Sequence, residues 1–294
     1  VDIISMPIAL AQAVKTILGR ISQASDRAWM KNPLFTQKSL PVFAVILGVI
    51  NLLALIQYGW LVTHAYTLLV AVFIITRVVP GMLLYETPKD NGITPTIAIV
   101  IPAYNEEESA AKTIDRALET GYDLDRLKVI GINDGSQDGT WAAMQEAESR
   151  HPGNVELINF VQNRGKREGL YAGVQKVTSE IIVVVDSDSY LTPGSLYQIV
   201  QPFDDPEVMA VSGHTAVHNT DTNLLTRMQT VWYDVMFRVF KAGESRFGLV
   251  SCCPGCFSAY RTSALQSVME DFRGLQFAGT RCTYGDDRSL TNMI

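Results

Sequence analysis

The carboxylates of this 294-residue chain fall into a pattern with chemical meaning. Val183-Val184-Val185 runs directly into Asp186-Ser187-Asp188. Near neutral pH both carboxylates are ionised unless buried. At the end of an apolar strand two such charges repel each other and lose hydration, and a bound divalent cation relieves both costs. Oxygen donors of this kind suit Mg²⁺ or Mn²⁺ better than a softer metal. Phosphate oxygens and water would complete the shell, and the cation would neutralise a departing diphosphate. Asp186 and Asp188 are therefore the candidate metal residues. Lys166 and Arg167 either add positive charge at the same place or form a solvated helix start, since lone charges usually face water.

Other candidate groups point to less. The cysteines are Cys252, Cys253, Cys256 and Cys282. A structural zinc site usually takes two separated pairs of ligands, and no histidine lies near these, so reduced thiols in a cytosolic domain are the plainer reading. Neither G-x-G-x-x-G nor G-x-x-x-x-G-K-[ST] occurs, which removes the usual signatures of dinucleotide and P-loop chemistry. The net charge of −6, with a pI near 5.3 and no basic tract, gives a nucleic-acid partner no electrostatic support.

The elements that must position these residues follow from the pattern after Pro95. Thr96–Ile101 is a β-branched run ending at Pro102, and residues 106–120 follow at helical period up to Gly121. Residues 127–132 form a second strand, closed by Asn133-Asp134-Gly135. Ser136 or Asp138 is placed to cap a helix running to Arg150. A short strand over 155–159, a helix over 166–177 and a continuous apolar strand over 181–185 come next. A helix over 193–200 and a strand over 208–212 continue the alternation, and residues 223–242 read as a further helix. The pattern predicts an α/β domain with a mostly parallel sheet. In such sheets ligands bind beyond the carboxyl ends of the strands. Tyr104-Asn105-Glu106, Asp134-Gly135-Ser136 and Asp186-Ser187-Asp188 all fall there. Turn chemistry alone explains any one of them, but not as readily all three at one edge.

The apolar excess, 47% hydrophobic residues and a mean hydropathy of +0.13, sits upstream. Between Lys38 and Arg77 there is no Asp, Glu, Lys or Arg. Residues 41–60 and 66–85 are each close to the roughly 20 residues that cross a bilayer core of about 30 Å. They predict a transmembrane helix hairpin over 41–87, turning near His64. Lys15, Arg20, Arg27, Lys31 and Lys38 before it and Lys89 after it place both ends in the cytoplasm, and Arg77 is placed to snorkel to that side. Residues 1–40 form an N-terminal segment. Its stretch 4–22 has an apolar face suited to the membrane surface or, equally, to packing on protein.

With these residues in view, the domain over 95–294 resembles the family-two inverting glycosyltransferases of GT-A fold (nucleotide-diphospho-sugar transferases). Within them it is most similar to the processive membrane synthases of hyaluronan, chitin and nodulation chitooligosaccharides. The resemblance covers about residues 41–294. Its motifs are Ile101-Pro102-Ala103-Tyr104-Asn105-Glu106, Asn133-Asp134-Gly135-Ser136, Asn163-Arg164-Gly165-Lys166-Arg167-Glu168 and Asp186-Ser187-Asp188. Pro254-Gly255-Cys256-Phe257-Ser258-Ala259-Tyr260-Arg261 and Gly285-Asp286-Asp287-Arg288-Ser289-Leu290-Thr291-Asn292 complete the set. Each is weak alone; the order of six behind a membrane hairpin is specific.

The resemblance implies roles. Pro102, Tyr104, Glu106 and Asp134 belong to the donor site, the last three against the uridine of a UDP-sugar. Lys166 lies near the donor phosphates or sugar, Asp186 binds donor, and Asp188 is the main metal ligand. Asp287, with Asp286 beside it, is the catalytic pair, Asp287 being the general base toward the acceptor hydroxyl. Pro254, Gly255, Cys256, Cys282 and Trp232 fall on the acceptor side. Trp232 and Tyr233 either stack on sugar or rest at the membrane interface.

The implied function is transfer from UDP-N-acetylglucosamine, with or without UDP-glucuronate, to a growing β-linked polysaccharide by an enzyme in the plasma membrane with a cytoplasmic catalytic domain. Two other readings stay in play: a non-processive transferase acting on a lipid phosphate, and a silent membrane protein that only binds nucleotide sugar. The synthases carry a Gln-x-x-Arg-Trp motif and more transmembrane helices after Gly-Asp-Asp, whereas Ile294 comes seven residues after Asp287. The expectation is that part of the synthase is missing from this sequence.

Overall fold

The computed structural model describes residues 65–277, 280–282 and 284–294, together with Val49. The expected surface segment 1–40, the first membrane helix over 41–60 and the turn at His64 lie outside the described residues. The chain divides into two compact units, Val1–Tyr85 with Ala242–Arg246, and Glu86–Lys241 with Phe247–Ile294.

In the first unit, helix α1 (Ala65–Val79) continues into a π-helical turn, Pro80–Leu84. Within it Thr67–Leu84 is 18 residues long and apolar enough to cross a membrane by length and composition. It falls within residues 66–85, where the second span of the hairpin is expected. Leu69 and Phe73 stand exposed on it. Arg77, in the last turn of α1, has a side chain 33% exposed. Its guanidinium pairs with Glu244 and lies 4.7 Å over the Phe73 ring. The short helix Ala242–Ser245 comes so near that a Cβ on Gly243 would collide with the Arg77 carbonyl.

The second unit is a three-layer α/β/α domain around a six-stranded sheet. Its strands are β1 (Ile97–Ala103), β2 (Leu127–Asn133), β3 (Val155–Asn159), β4 (Ile181–Val184), β5 (Ala210–Ser212) and β6 (Ser258–Arg261). The order is β3-β2-β1-β4-β6-β5. β1 to β4 are parallel, and β6 lies antiparallel between β4 and β5.

Alternation sorts the side chains. Ile97, Ile99, Ile101 and Val183 face α2 (Ala110–Leu118), α3 (Thr140–Arg150) and α5 (Ser195–Val200). Val100, Ile132, Ile182 and Val184 face α4 (Lys166–Gln175), α7 (Thr262–Gly274) and α8 (Asp286–Met293). Helix α6 (Leu224–Val235), capped by Asn223, continues as a π-helical stretch, Met236–Lys241. A small hairpin, β7 (Gln276–Phe277) with β8 (Thr280–Arg281), precedes α8.

Two differences from the expected elements have local causes. β1 runs through Pro102 to Ala103 instead of ending at it. β4 pairs β1 only as far as Val100 opposite Val184, so the missing Pro102 amide falls where that ladder has stopped. Helix α2 starts at Ala110, not Glu106. Asn105 takes a left-handed turn at φ 54°, and the Glu106 carbonyl accepts from Ser109 and Ala110 to begin the helix later.

Candidate active site

Each polar loop at the carboxyl ends of β1, β2 and β4 is fixed by its neighbours. The Ser136 hydroxyl accepts from the Asn105 amide at 3.0 Å, and the Asn105 side chain accepts from the Gln137 amide at 2.9 Å. Glu106 donates its backbone N–H to Thr140 Oγ1 at 2.7 Å and takes the Ser109 hydroxyl on its carboxylate. Asp138, rather than Ser136, serves the start of α3, accepting from the Thr140 amide and hydroxyl. The hydroxyl bond holds its carboxyl below the usual range. Gly135 has φ +70°, and a Cβ there would run into the backbone of Gln162 and Asn163. Only glycine lets the β2 loop turn this way against the 162–165 loop.

Asp134 holds that second loop. It is buried, and its two oxygens accept from the backbone amides of Arg164 at 2.7 Å and Gly165 at 2.8 Å. Expected against the uridine of the donor, it also places the loop that begins α4. Tyr104, 44% exposed, is the open aromatic surface beside it, while Pro102 is buried beneath.

The Asp186-Ser187-Asp188 turn is pinned from behind. The buried Thr113 hydroxyl donates to the Ser187 carbonyl at 2.7 Å, and the Ser189 amide closes the turn on the Asp186 carbonyl at 3.0 Å. Asp186 ion-pairs with Lys166 Nζ at 2.5 Å. Asp188 is exposed, with the Ser189 hydroxyl 3.4 Å from its carboxylate.

Among the described residues no three His, Cys, Asp or Glu side chains gather to form a metal cage. An exposed carboxylate on a rigid turn fits a hard cation that takes its other ligands from phosphate and water. Of the two carboxylates Asp188 is the more exposed, and Asp186 shares its charge with Lys166.

Lys166 joins this group to the opposite side. Its ammonium also lies 3.9 Å from Asp287 Oδ1. Burial alone would lower the Lys166 pKa, but Asp186, aided by Asp287 and Asp286, outweighs it and leaves the pKa raised. Asp287 is oriented further by the Gly255 amide, which donates to Oδ2 at 2.8 Å. The Asp287 carbonyl takes the Thr291 hydroxyl at 2.7 Å, and that hydroxyl accepts from the Cys253 amide at 2.8 Å. Gly255 sits among the three charged groups. A Cβ on it would lie 2.8 Å from Asp287 Oδ1, 2.8 Å from Lys166 Nζ and 3.1 Å from Asp186 Oδ1.

The two acids of Gly285-Asp286-Asp287 part company. Asp286, expected with Asp287 as a catalytic group, borders the cavity beside this cluster and is held from the core side by the buried Arg167 guanidinium. Nor is Arg167 the solvated helix-start charge that its residue type allows; it is 4% exposed.

A cavity of about 970 Å³ opens beside this cluster, bounded by Lys166, Cys252, Tyr284, Asp286, Asp287 and Asn292. Of the expected acceptor residues, Cys256 lies half-buried, its sulfur 3.2 Å from the Thr215 hydroxyl. Burial pushes its thiol pKa up, so it stays protonated at neutral pH. Pro254 and Gly255 form the turn that carries the Asp287 contact. Cys282 sits at the β7–β8 hairpin, its amide on the Leu275 carbonyl, and Trp232 is 60% exposed on α6; neither is among the cavity walls. No disulfide joins any of the four cysteines.

Thr113, Thr140 and Thr215 escaped the sequence reading. Thr113 alone carried a signal, a polar residue on the buried stripe Ala110, Ile114, Ala117 of α2.

A mixed sheet with three acidic or polar loops at one edge, and a paired lysine between two of the acids, is the framework of a nucleotide-sugar transferase of GT-A type. The chain belongs to glycosyl transferase family 2, whose profile matches residues 98–269. It is 30% identical over 267 residues to the hyaluronan synthase of Streptococcus pyogenes, an alignment covering 86% of this chain and 63% of that protein. The chain thus spans about two-thirds or less of the curated relatives it matches. An N-acetylglucosaminyltransferase of Rhizobium meliloti is 26% identical over 218 residues, 74% of this chain and 51% of the relative. The mannosyltransferase of Pyrobaculum calidifontis, solved in complex with GDP-Man and Mn²⁺, has the same fold. Its TM-score is 0.55 at 22% identity, covering 85% of this chain and 61% of that one.

Proposed function

We propose that this chain is the catalytic part of a processive polysaccharide synthase. It transfers a sugar with inversion from a UDP-sugar, UDP-N-acetylglucosamine with or without UDP-glucuronate, to the growing end of a β-linked polymer. The observation that carries this reading is Lys166. It bridges Asp186, at the end of the β4 strand, and Asp287, at the start of α8, so donor and acceptor groups meet at one ammonium. The similarity to a hyaluronan synthase and an N-acetylglucosaminyltransferase supports the substrate class.

Tyr104, Glu106 and Asp134 take the uridine, Asp134 also holding the loop that begins α4. Lys166 turns its charge to the diphosphate, where Mg²⁺ or Mn²⁺ on Asp188 and Asp186 supplies further neutralisation when bound. Asp287, fixed by the Gly255 amide, accepts the proton of the acceptor hydroxyl as its oxygen forms the new bond to the anomeric carbon and the bond to the diphosphate breaks. The acceptor lies along the cavity that Asp287 borders. Placement contributes more than basicity, because the leaving group departs with its charge compensated. The span in α1 belongs to a membrane anchor, in the plasma membrane with the catalytic unit in the cytoplasm, and the complete enzyme passes the polymer across the bilayer.

The test is incubation of membranes holding the full-length protein with radiolabelled UDP-N-acetylglucosamine and UDP-glucuronate, singly and paired. Labelled polymer is expected either from UDP-N-acetylglucosamine alone or only when it is paired with UDP-glucuronate, and which of the two is seen identifies the product. No polymer in any combination contradicts the proposal.

A further inference from the structure

Arg167 is a costly residue where it stands. Its side chain is 5% exposed and its guanidinium lies 4.7 Å over the ring of Phe272, itself fully buried. Nε and Nη2 both reach Asp286, while Nη1 is buried without a hydrogen-bond partner among the described residues. A buried ion pair often adds no more stability than apolar side chains of the same volume, and an unmade buried hydrogen bond subtracts from it. Stability is therefore a poor account of the pair, and register is a better one.

The register is specific. Lys166 and Arg167 are consecutive in the first turn of α4, and Asp287 and Asp286 are consecutive in the first turn of α8. Arg167 grips Asp286 on the core side, and Lys166 faces Asp287 on the open side. On a helix neighbouring residues point about 100° apart. Fixing Asp286 inward therefore sets the rotation of α8 and turns Asp287 toward Gly255 and Lys166. The planar fork of an arginine defines that rotation, whereas the point charge of a lysine does not.

We infer that Arg167 is the positioning residue for the acceptor-side carboxylate: its buried pairing with Asp286 orients the first turn of α8 so that Asp287 meets Lys166 and the Gly255 amide. The inference rests on the reading of Asp287 as the base.

The test compares four variants of the full-length protein in membranes: Arg167→Met, Arg167→Lys, Arg167→Met with Asp286→Asn, and Asp287→Asn. Three quantities are measured: turnover of radiolabelled UDP-N-acetylglucosamine, affinity for UDP, and melting temperature. A misplacement near 1 Å can cost about 100-fold in rate. Arg167→Met is accordingly expected to lose about that factor in kcat with UDP affinity unchanged within about twofold, and Arg167→Lys to fall between it and the parent. The double variant removes both buried charges, so it is expected to regain the melting temperature but not the turnover. It keeps the test open if Arg167→Met fails to fold.

Parental turnover in Arg167→Met, or recovery of turnover together with stability in the double variant, overturns the inference. Asp287→Asn separates the two claims. If it is inactive while the Arg167 variants are normal, only the positioning role fails; if it is fully active, the base assignment fails.

Discussion

Replacing Gly255 by alanine places a methyl group in the middle of the charged cluster. The new Cβ would stand 2.8 Å from Asp287 Oδ1, 2.8 Å from Lys166 Nζ and 3.1 Å from Asp186 Oδ1. Contacts this short force something to move, and the atoms in the way are the ends of flexible side chains. Lys166, Asp186 and Asp287 have side chains 35%, 31% and 36% exposed, so each can give way toward solvent. The fold therefore survives while the geometry of the site does not.

Overpacking of this kind costs about 1–3 kcal/mol. If that energy falls on the transition state, at 1.36 kcal/mol per tenfold, turnover drops by about 5- to 150-fold. The same energy falling on folding would lower the melting temperature by about 2–4 °C per kcal/mol for a domain of this size. The assay is turnover of labelled UDP-N-acetylglucosamine beside thermal unfolding of the same preparation. A large loss of turnover with a melting temperature near the parent is expected. Parental turnover in Gly255→Ala would refute the convergence of the three groups on Gly255, and loss of folding would place the methyl against rigid backbone instead.

Two further outcomes follow from the same geometry. Asp134→Asn keeps one acceptor for the Arg164 and Gly165 amides and sets an N–H against the other. With bonds to charged groups contributing about 1.5–3 kcal/mol, unfolding free energy in urea is expected to fall by about 2 kcal/mol; an unchanged denaturation midpoint would show that the loop does not depend on Asp134. Removal of divalent cations, and separately Asp188→Ala, should each reduce sugar transfer to background, whereas full transfer in excess chelator would exclude the cation on the Asp186-Ser187-Asp188 turn.

The parallel core was legible because its signals are local. Ile97–Ile101 and Ile181–Val184 are continuous apolar runs, as strands buried on both faces must be, and each stops at a polar turn. The three loops at one sheet edge followed from that alternation. β6 was legible only in part: residues 252–260 read either as an acceptor entrance or as a buried strand of small residues, and Ser258-Ala259-Tyr260-Arg261 owes its strand form to pairing with β4 and β5 on either side. The late start of α2 was hidden for a similar reason: the left-handed turn at Asn105 is stabilised by Ser136 and Gln137, thirty residues away. Within the site, adjacency made Asp286 look like a twin of Asp287. Only the buried Arg167 separates their roles, and its burial depends on Phe272 and the packing of α4 on α7.

The central claim is that Asp287 takes the acceptor proton at a site whose donor half stands without it. Asp287→Asn in the full-length protein, assayed for polymer from labelled UDP-sugar and for UDP binding, addresses it most directly. Polymer should vanish while UDP affinity stays near that of the parent. Polymerisation by the variant at a near-parental rate would contradict the assignment.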